Sequence, residues 1–188
     1  MNPSHTPPRE LVEQFVISAH GNFPKTRELL EANPALLHTR WDKTNEMAIE
    51  AAAHVGHREI ANYLLSKGAT LDICTAAMLG LDKKVSEFLQ SDPKQANAKG
   101  AHGIPVLFFA ALSGKTEIAE LLVSHGSREG LDGALQGAVR LGHTAMVKWL
   151  LDRGANVHVK DFEGKTPLEV ASARNDTEIV RLLSQHTK

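Results

Sequence analysis

Ten histidines in a chain of 188 residues invite a search for metal or acid–base chemistry. His54 and His57 are three residues apart, but they straddle Gly56 at a turn, and no carboxylate or cysteine completes a set at a spacing typical of zinc. Glu46 with Glu50, and Glu117 with Glu120, could pair on helix faces, where such charges are usually a solvated face. The "GKT" at 164–166 lacks the preceding glycine of a phosphate loop. No G-x-S-x-G elbow and no H-E-x-x-H is present. The expectation from these residues is no catalytic group, no metal, no cofactor and no enzymatic activity.

Acidic and basic side chains nearly cancel, leaving a formal charge of -1, which argues against a general nucleic-acid or polyanion binder. Cys74 is the only cysteine, so no internal disulfide forms and paired-cysteine zinc is excluded. The opening "MNPSHTPPRE" carries three prolines and no apolar run, unlike a signal peptide or a membrane span. Residues 1–8 are expected as a disordered lead to a helix that Pro7 and Pro8 introduce, in a soluble cytoplasmic protein.

The elements that would position any site are visible as a repeat. "GHREIANYLLSKGATLD" at 56–72 returns as "GHTAMVKWLLDRGANVH" at 142–158. Taking Gly21, Gly56, Gly80, Gly114, Gly142 and Asn175 as turn positions, apolar residues recur four, five, eight and nine residues later, as at Ile60, Ala61, Leu64 and Leu65. That is one stripe on a helix. Twelve residues after each turn stand Asn33, Gly68, Asp92, Gly126 and Gly154, types that tolerate the left-handed conformation closing a helix. Small-residue segments such as "EMAIEAAAHV" and "VLFFAAL" precede the turns. Each unit is therefore a small-faced helix, a tight turn and an amphipathic helix that must stack on neighbours to bury its stripe.

These residues resemble the ankyrin repeat. Its consensus, G-x-T-P-L-H-x-A-A-x-x-G, is followed closely by "GKTPLEVASARN" at 164–175, and the resemblance runs from about Arg9 to the C-terminus. It implies an all-α solenoid of about five helix pairs plus a degenerate N-terminal pair. Repeats are expected at approximately 9–38, 39–70, 71–97, 98–128, 129–159 and 160–188 of one domain, 9–188. It also implies protein binding rather than catalysis. The family's turn-holding histidine is replaced by Glu50, Cys74, Phe108, Gln136 and Glu169, so these turns must be held otherwise. Cys74, on an inner helix, is expected as a buried, inert thiol.

Connecting pieces alternate long and short, at 34–55, 69–79, 93–113, 127–141 and 155–174, which predicts full β-turn fingers in alternate repeats only. They fall near 40–44, 99–103 and 160–165, separated by slots wide enough for a helix or strand of a partner. Trp41, at a tip where exposure is expected, is the candidate anchor. With Lys43, Lys99, His102, Lys160, Phe162 and Lys165 it forms the expected partner-binding set. The expected protein is a monomeric adaptor or regulator in trans, free of nucleic acid and membrane. The alternatives are a dedicated antitoxin-like inhibitor of one enzyme, or a small-molecule or enzymatic role in a widened slot.

Overall fold

Short helices of small residues set the architecture. The computed structural model describes residues 6–187, so five residues of the expected disordered lead lie outside the described residues; within it, Pro7 is buried. An inner row is formed by α1 (Arg9–Ser18), α3 (Ala48–Val55), α5 (Ile73–Leu79), α7 (Val106–Ser113), α9 (Leu131–Leu141) and α11 (Pro167–Ala173). Each packs on the next, with Ala52, Ala76, Ala77, Ala110, Ala111, Ala134 and Ala138 fully buried between them. The outer row is α2 (Phe23–Ala32), α4 (Arg58–Ser66), α6 (Asp82–Ser91), α8 (Thr116–Ser124), α10 (Thr144–Leu151) and α12 (Thr177–Gln185). Its stripes are buried as the spacing predicts, at Ile60, Ala61 and Leu64, at Ile118, Ala119 and Leu122, and at Met146, Val147 and Leu150. The result is an ankyrin-type solenoid of helix pairs.

The turn between paired helices takes positive φ in the later repeats, from 56° at Asn175 to 78° at Gly56. Gly114 shows why a side chain is excluded: a Cβ there would lie 2.7 Å from His143 Nδ1. His143 is held by its Nε2, 3.1 Å from the carbonyl of Leu112 in the preceding repeat. Equivalent latches are Arg58 to Leu79 O at 2.6 Å, Lys115 to Gly80 O at 2.7 Å and Arg174 to Arg140 O at 2.8 Å. Each side chain donates to a carbonyl at an inner-helix C-terminus, where the helix leaves acceptors unpaired and a cation is favoured.

Two helix endings differ from expectation. Gly68, Gly126 and Gly154 do close their helices at positive φ, but Asn33 and Asp92 are extended, at φ -141° and -150°. Proline follows both, and its ring disfavours helical conformations in the residue before it. Their side chains instead accept from the backbone N–H of Ala35 at 3.2 Å and Lys94 at 3.0 Å, capping 3-10 helices over Pro34–His38 and Pro93–Asn97.

Three fingers stand in alternate repeats. The first is a hairpin of β1 (Arg40–Trp41) and β2 (Glu46–Met47), antiparallel, with Trp41 opposite Glu46. The second is closed by a bridge between Lys99 and Pro105, the third by Asp161 N–H to Lys165 O at 2.9 Å. After Gly68 and Gly126 the chain enters α5 and α9 directly.

Trp41 corrects the exposure expected of it. It is only 8% exposed, in a strand that packs on α1. In a two-residue strand alternate side chains face opposite ways, so Arg40 points to solvent and Trp41 toward α1, in a depression shared with Pro7 and Val12. The Arg9–Asp42 pair, at 3.0 Å, ties the same finger to α1. Trp41→Ala should therefore cost about 3 kcal/mol in urea unfolding, while Phe162→Ala, at 84% exposure, leaves the midpoint unchanged. A Trp41→Ala midpoint equal to that of the wild type would show that the indole contributes no packing.

Candidate functional site

The positions that lack the family's histidine hold their turns in several ways. Glu50 accepts from Met47 N–H at 2.8 Å and pairs with both terminal nitrogens of Arg40 at 2.7 Å, fastening the first finger to α3. Gln136 Nε2 donates across to the third finger, to Val159 O at 2.8 Å and Lys165 O at 3.0 Å. Glu169 stays within its own repeat, accepting from Thr166 N–H at 2.7 Å and Thr166 Oγ1 at 2.8 Å. Its carboxyl is held below the ordinary range by those bonds. Cys74 lies under the second finger, and burial pushes its thiol pKa well up, as an inert thiol requires.

The first of the two expected slots is closed. Finger two bends across α5 and its 3-10 turn, Ala101–Gly103, packs on α3. All seven residues of α5 are buried, among α3, α6, α7 and this finger. Gly100 permits the crossing, since a Cβ there would meet Phe109 Cζ at 2.6 Å and Cys74 Cβ at 3.3 Å. His102, in the left-handed region at φ 57°, is carried onto the base of finger one.

There it joins a histidine–carboxylate group whose members share no local sequence spacing. Glu46, in β2, is 1% exposed in its side chain and surrounded by three imidazoles. His54 Nδ1 is 2.8 Å from Glu46 Oε1, His102 Nε2 is 3.5 Å from the same oxygen, and His20 Nε2 is 3.7 Å from Oε2. The His54 approach is short but off the direction of a hydrogen bond; both Glu46 oxygens and His54 Nδ1 lack one. Burial raises the Glu46 pKa, yet the proximity and charge of His54, with those of His20 and His102, outweigh it and hold the carboxyl below its ordinary range. His20, Glu46 and His54 offer ligand atoms all within 4.8 Å of one another.

The second slot is open. Between fingers two and three lies a cavity of about 470 Å³, floored by Gly133, Gln136, Gly137 and Arg140 of α9. Ile104, Phe108, Val159 and Phe162 form its apolar walls, with Lys160 at the rim and His54 at the far end. Arg140's guanidinium has no hydrogen-bond or ion-pair partner among the described residues. The volume suits a few side chains better than the whole helix or strand expected. Of the expected set, Lys160 and Phe162 line this cavity and His102 belongs to the carboxylate cluster. Lys99 pairs with Glu129 at 2.9 Å, Lys165 with Glu163 at 2.6 Å, and Lys43 lies 5.5 Å from the Trp41 ring. Arg140, Phe108 and Gly133 were missed; the signal was the glycine pair on α9, which leaves a helix face without bulk.

A model of three-copy ankyrin repeats matches residues 73–161 and 130–188, and a single-repeat model matches 47–76. The chain belongs to the ankyrin repeat family. It is 31% identical over 155 residues to the rat "Ankyrin repeat and SAM domain-containing protein 6", covering 73% of this chain and 18% of that protein. It is 27% identical over 183 residues to an ankyrin repeat-containing protein of Treponema pallidum (strain Nichols), covering 94% of this chain and 53% of that one. Human "Cyclin-dependent kinase 4 inhibitor B" is 28% identical over 128 residues, 64% of this chain and 90% of the relative. The chain thus spans only part of the first two relatives. An ankyrin array carries a protein-interaction or regulatory role, and no described helix is long and apolar enough to cross a membrane.

Within this array Gln136 holds the wall of the open slot. Gln136→Leu leaves two part-buried carbonyls without their donor, at a cost of about 1–3 kcal/mol. Hydrogen exchange should accelerate at 160–165 and not at 40–47. Unchanged exchange in the third finger would mean that these bonds do not hold it.

Proposed function

We propose that the protein is a non-catalytic adaptor or regulator acting in trans in the cytoplasm, and that it grips a protein partner in the slot between its second and third fingers. The observation that carries this reading is the open cavity on the concave side, with apolar walls and with Lys160, Asp161 and Arg140, the last unpaired among the described residues, in its lining. An aliphatic or aromatic side chain next to a carboxylate fits it: the ring or branch displaces water from Phe108 and Phe162, and the carboxylate meets the guanidinium. Lys99, His102, Lys165 and Lys43 extend the contact along the finger tips, while Trp41 braces the first finger from behind. Kinship with a protein named as a kinase inhibitor supports the regulator form of this role.

A second reading has the same cavity take a small molecule, because its volume falls within the range of ligand pockets. The two are separated by affinity purification with mass spectrometry from the native host, using the wild type, Gly133→Trp and Arg140→Glu as baits. Gly133 is exposed on α9 and a Cβ there meets only Phe108, at 3.8 Å, so the indole fills the slot without disturbing the stack. The expected result is a stoichiometric partner kept by the wild type and lost by both variants, with melting temperatures unchanged. A partner retained by Gly133→Trp would remove the slot from the interface. No partner, together with a metabolite that shifts the melting of the wild type but not of Gly133→Trp, would favour the small molecule.

A further inference from the structure

The carboxylate cluster shares His54 with the slot lining, and its chemistry is that of a ligand set. We propose that His20, Glu46 and His54 bind one divalent first-row transition ion, of which zinc is the natural probe, and that His102, beside Glu46 but outside that set, turns inward as the fourth ligand.

The orientation of His20 carries the first step. Its Nδ1 lies 3.0 Å from Val16 O and 3.3 Å from Ile17 O. A carbonyl only accepts, so Nδ1 bears a hydrogen and Nε2 is the ring nitrogen turned to Glu46 Oε2, 3.7 Å away. A lone pair there would be repelled by the buried carboxylate unless a proton or a metal ion lay between them. The same arrangement, one ring nitrogen donating to a backbone carbonyl while the other faces inward, is how metal-bound histidines are oriented.

Geometry carries the second step. Ligand atoms about 2.0–2.1 Å from a tetrahedral zinc are about 3.3 Å apart. The distances from Glu46 oxygens to His54, His102 and His20, at 2.8, 3.5 and 3.7 Å, bracket that value. The rings meet edge to face, with centroids 4.9 Å apart for His20 and His54 and 5.0 Å for His54 and His102. His20, Glu46 and His54 already offer ligand atoms within 4.8 Å of one another, and His102 reaches them by turning its half-exposed side chain inward. Glu46 supplies the remaining requirement, a fully buried carboxylate whose oxygens have no hydrogen-bond donor.

Ligand type narrows the ion. Three imidazoles with one carboxylate and no thiolate suit zinc, copper, nickel or iron, and disfavour calcium and magnesium, which prefer all-oxygen shells. The ligands come from the end of α1, from β2, from α3 and from the tip of finger two, so a bound ion would clip three repeats together. His102 and His20 are 43% and 35% exposed in their side chains, which leaves an entry path.

The test uses metal-stripped full chain and zinc chloride alone, read by calorimetry, by metal content after dialysis and by melting temperature, with cobalt(II) absorption as a geometry readout. Expected are one equivalent bound at micromolar or tighter Kd, tetrahedral d–d bands with cobalt, and a Tm rise of about 5 °C or more at a hundredfold excess over Kd. His102→Ala, on an exposed tip, and Glu46→Gln, near-isosteric, should each weaken binding at least tenfold. If Glu46→Gln fails to fold, His102→Ala and His20→Ala still decide the matter. Absence of saturable binding, or binding unchanged in the histidine variants, overturns the proposal. So does a stability gain that mild acid produces without metal and zinc cannot reproduce, which would assign the cluster to protonated imidazoles.

Discussion

The close approach of successive inner helices is the constraint on which the rest depends. It is made possible by alanine at Ala52, Ala76, Ala77, Ala110, Ala111, Ala134 and Ala138, where any larger side chain would push neighbouring repeats apart. The outer row packs through leucine, isoleucine, valine and methionine. The end of α3 also comes close to later repeats: a Cβ on Gly56 would touch Leu112 and Leu141 at 3.7 and 3.4 Å. Inner-helix carbonyls that this stacking leaves unpaired are taken up by Arg58, Lys115, His143 and Arg174, so the latches are a consequence of the packing.

Much of this was legible because it is periodic. The apolar offsets that named the outer stripes name residues that are buried, as Ile60 and Leu64, or partly buried against the core, as Leu65 and Val123, and the alternating connector lengths correspond to fingers present and absent. What could not be read depends on register and on bends that have no period. Trp41 is buried because a one-residue difference in strand register reverses the facing of a side chain, and nothing in "HTRWDKTN" states the register. Asn33 and Asp92 looked like left-handed closures by type, but the prolines after them govern their backbone. The closing of the first slot turns on positive φ at His102, a residue type for which that conformation is uncommon.

The carboxylate cluster was illegible for a related reason. Its members share no helical face and no motif spacing; they meet because the degenerate first turn leaves His20 at the end of α1, and because finger two crosses α5. A search confined to local spacing finds His54 with His57 and stops. In the structure His57 serves its own helix, its Nδ1 facing Ile60 N–H at 3.4 Å, while His54 turns the other way toward Glu46. Two histidines one turn apart in sequence thus have unrelated roles, divided by the glycine between them.

His54 also lines the open slot, so the cluster and the cavity share a wall. Finger two is common to both as well: His102 at its tip faces Glu46, and Ile104 on its returning strand faces the cavity. Whatever balances the buried charge of Glu46 must act on the orientation of His54 and on how firmly finger two lies across α5. Both contribute to the lining of the slot. Trimming the finger after Gly126 opened a cavity, while the bend of finger two sealed the other gap. The electrostatics of that seal therefore bear on a finger that also walls the cavity.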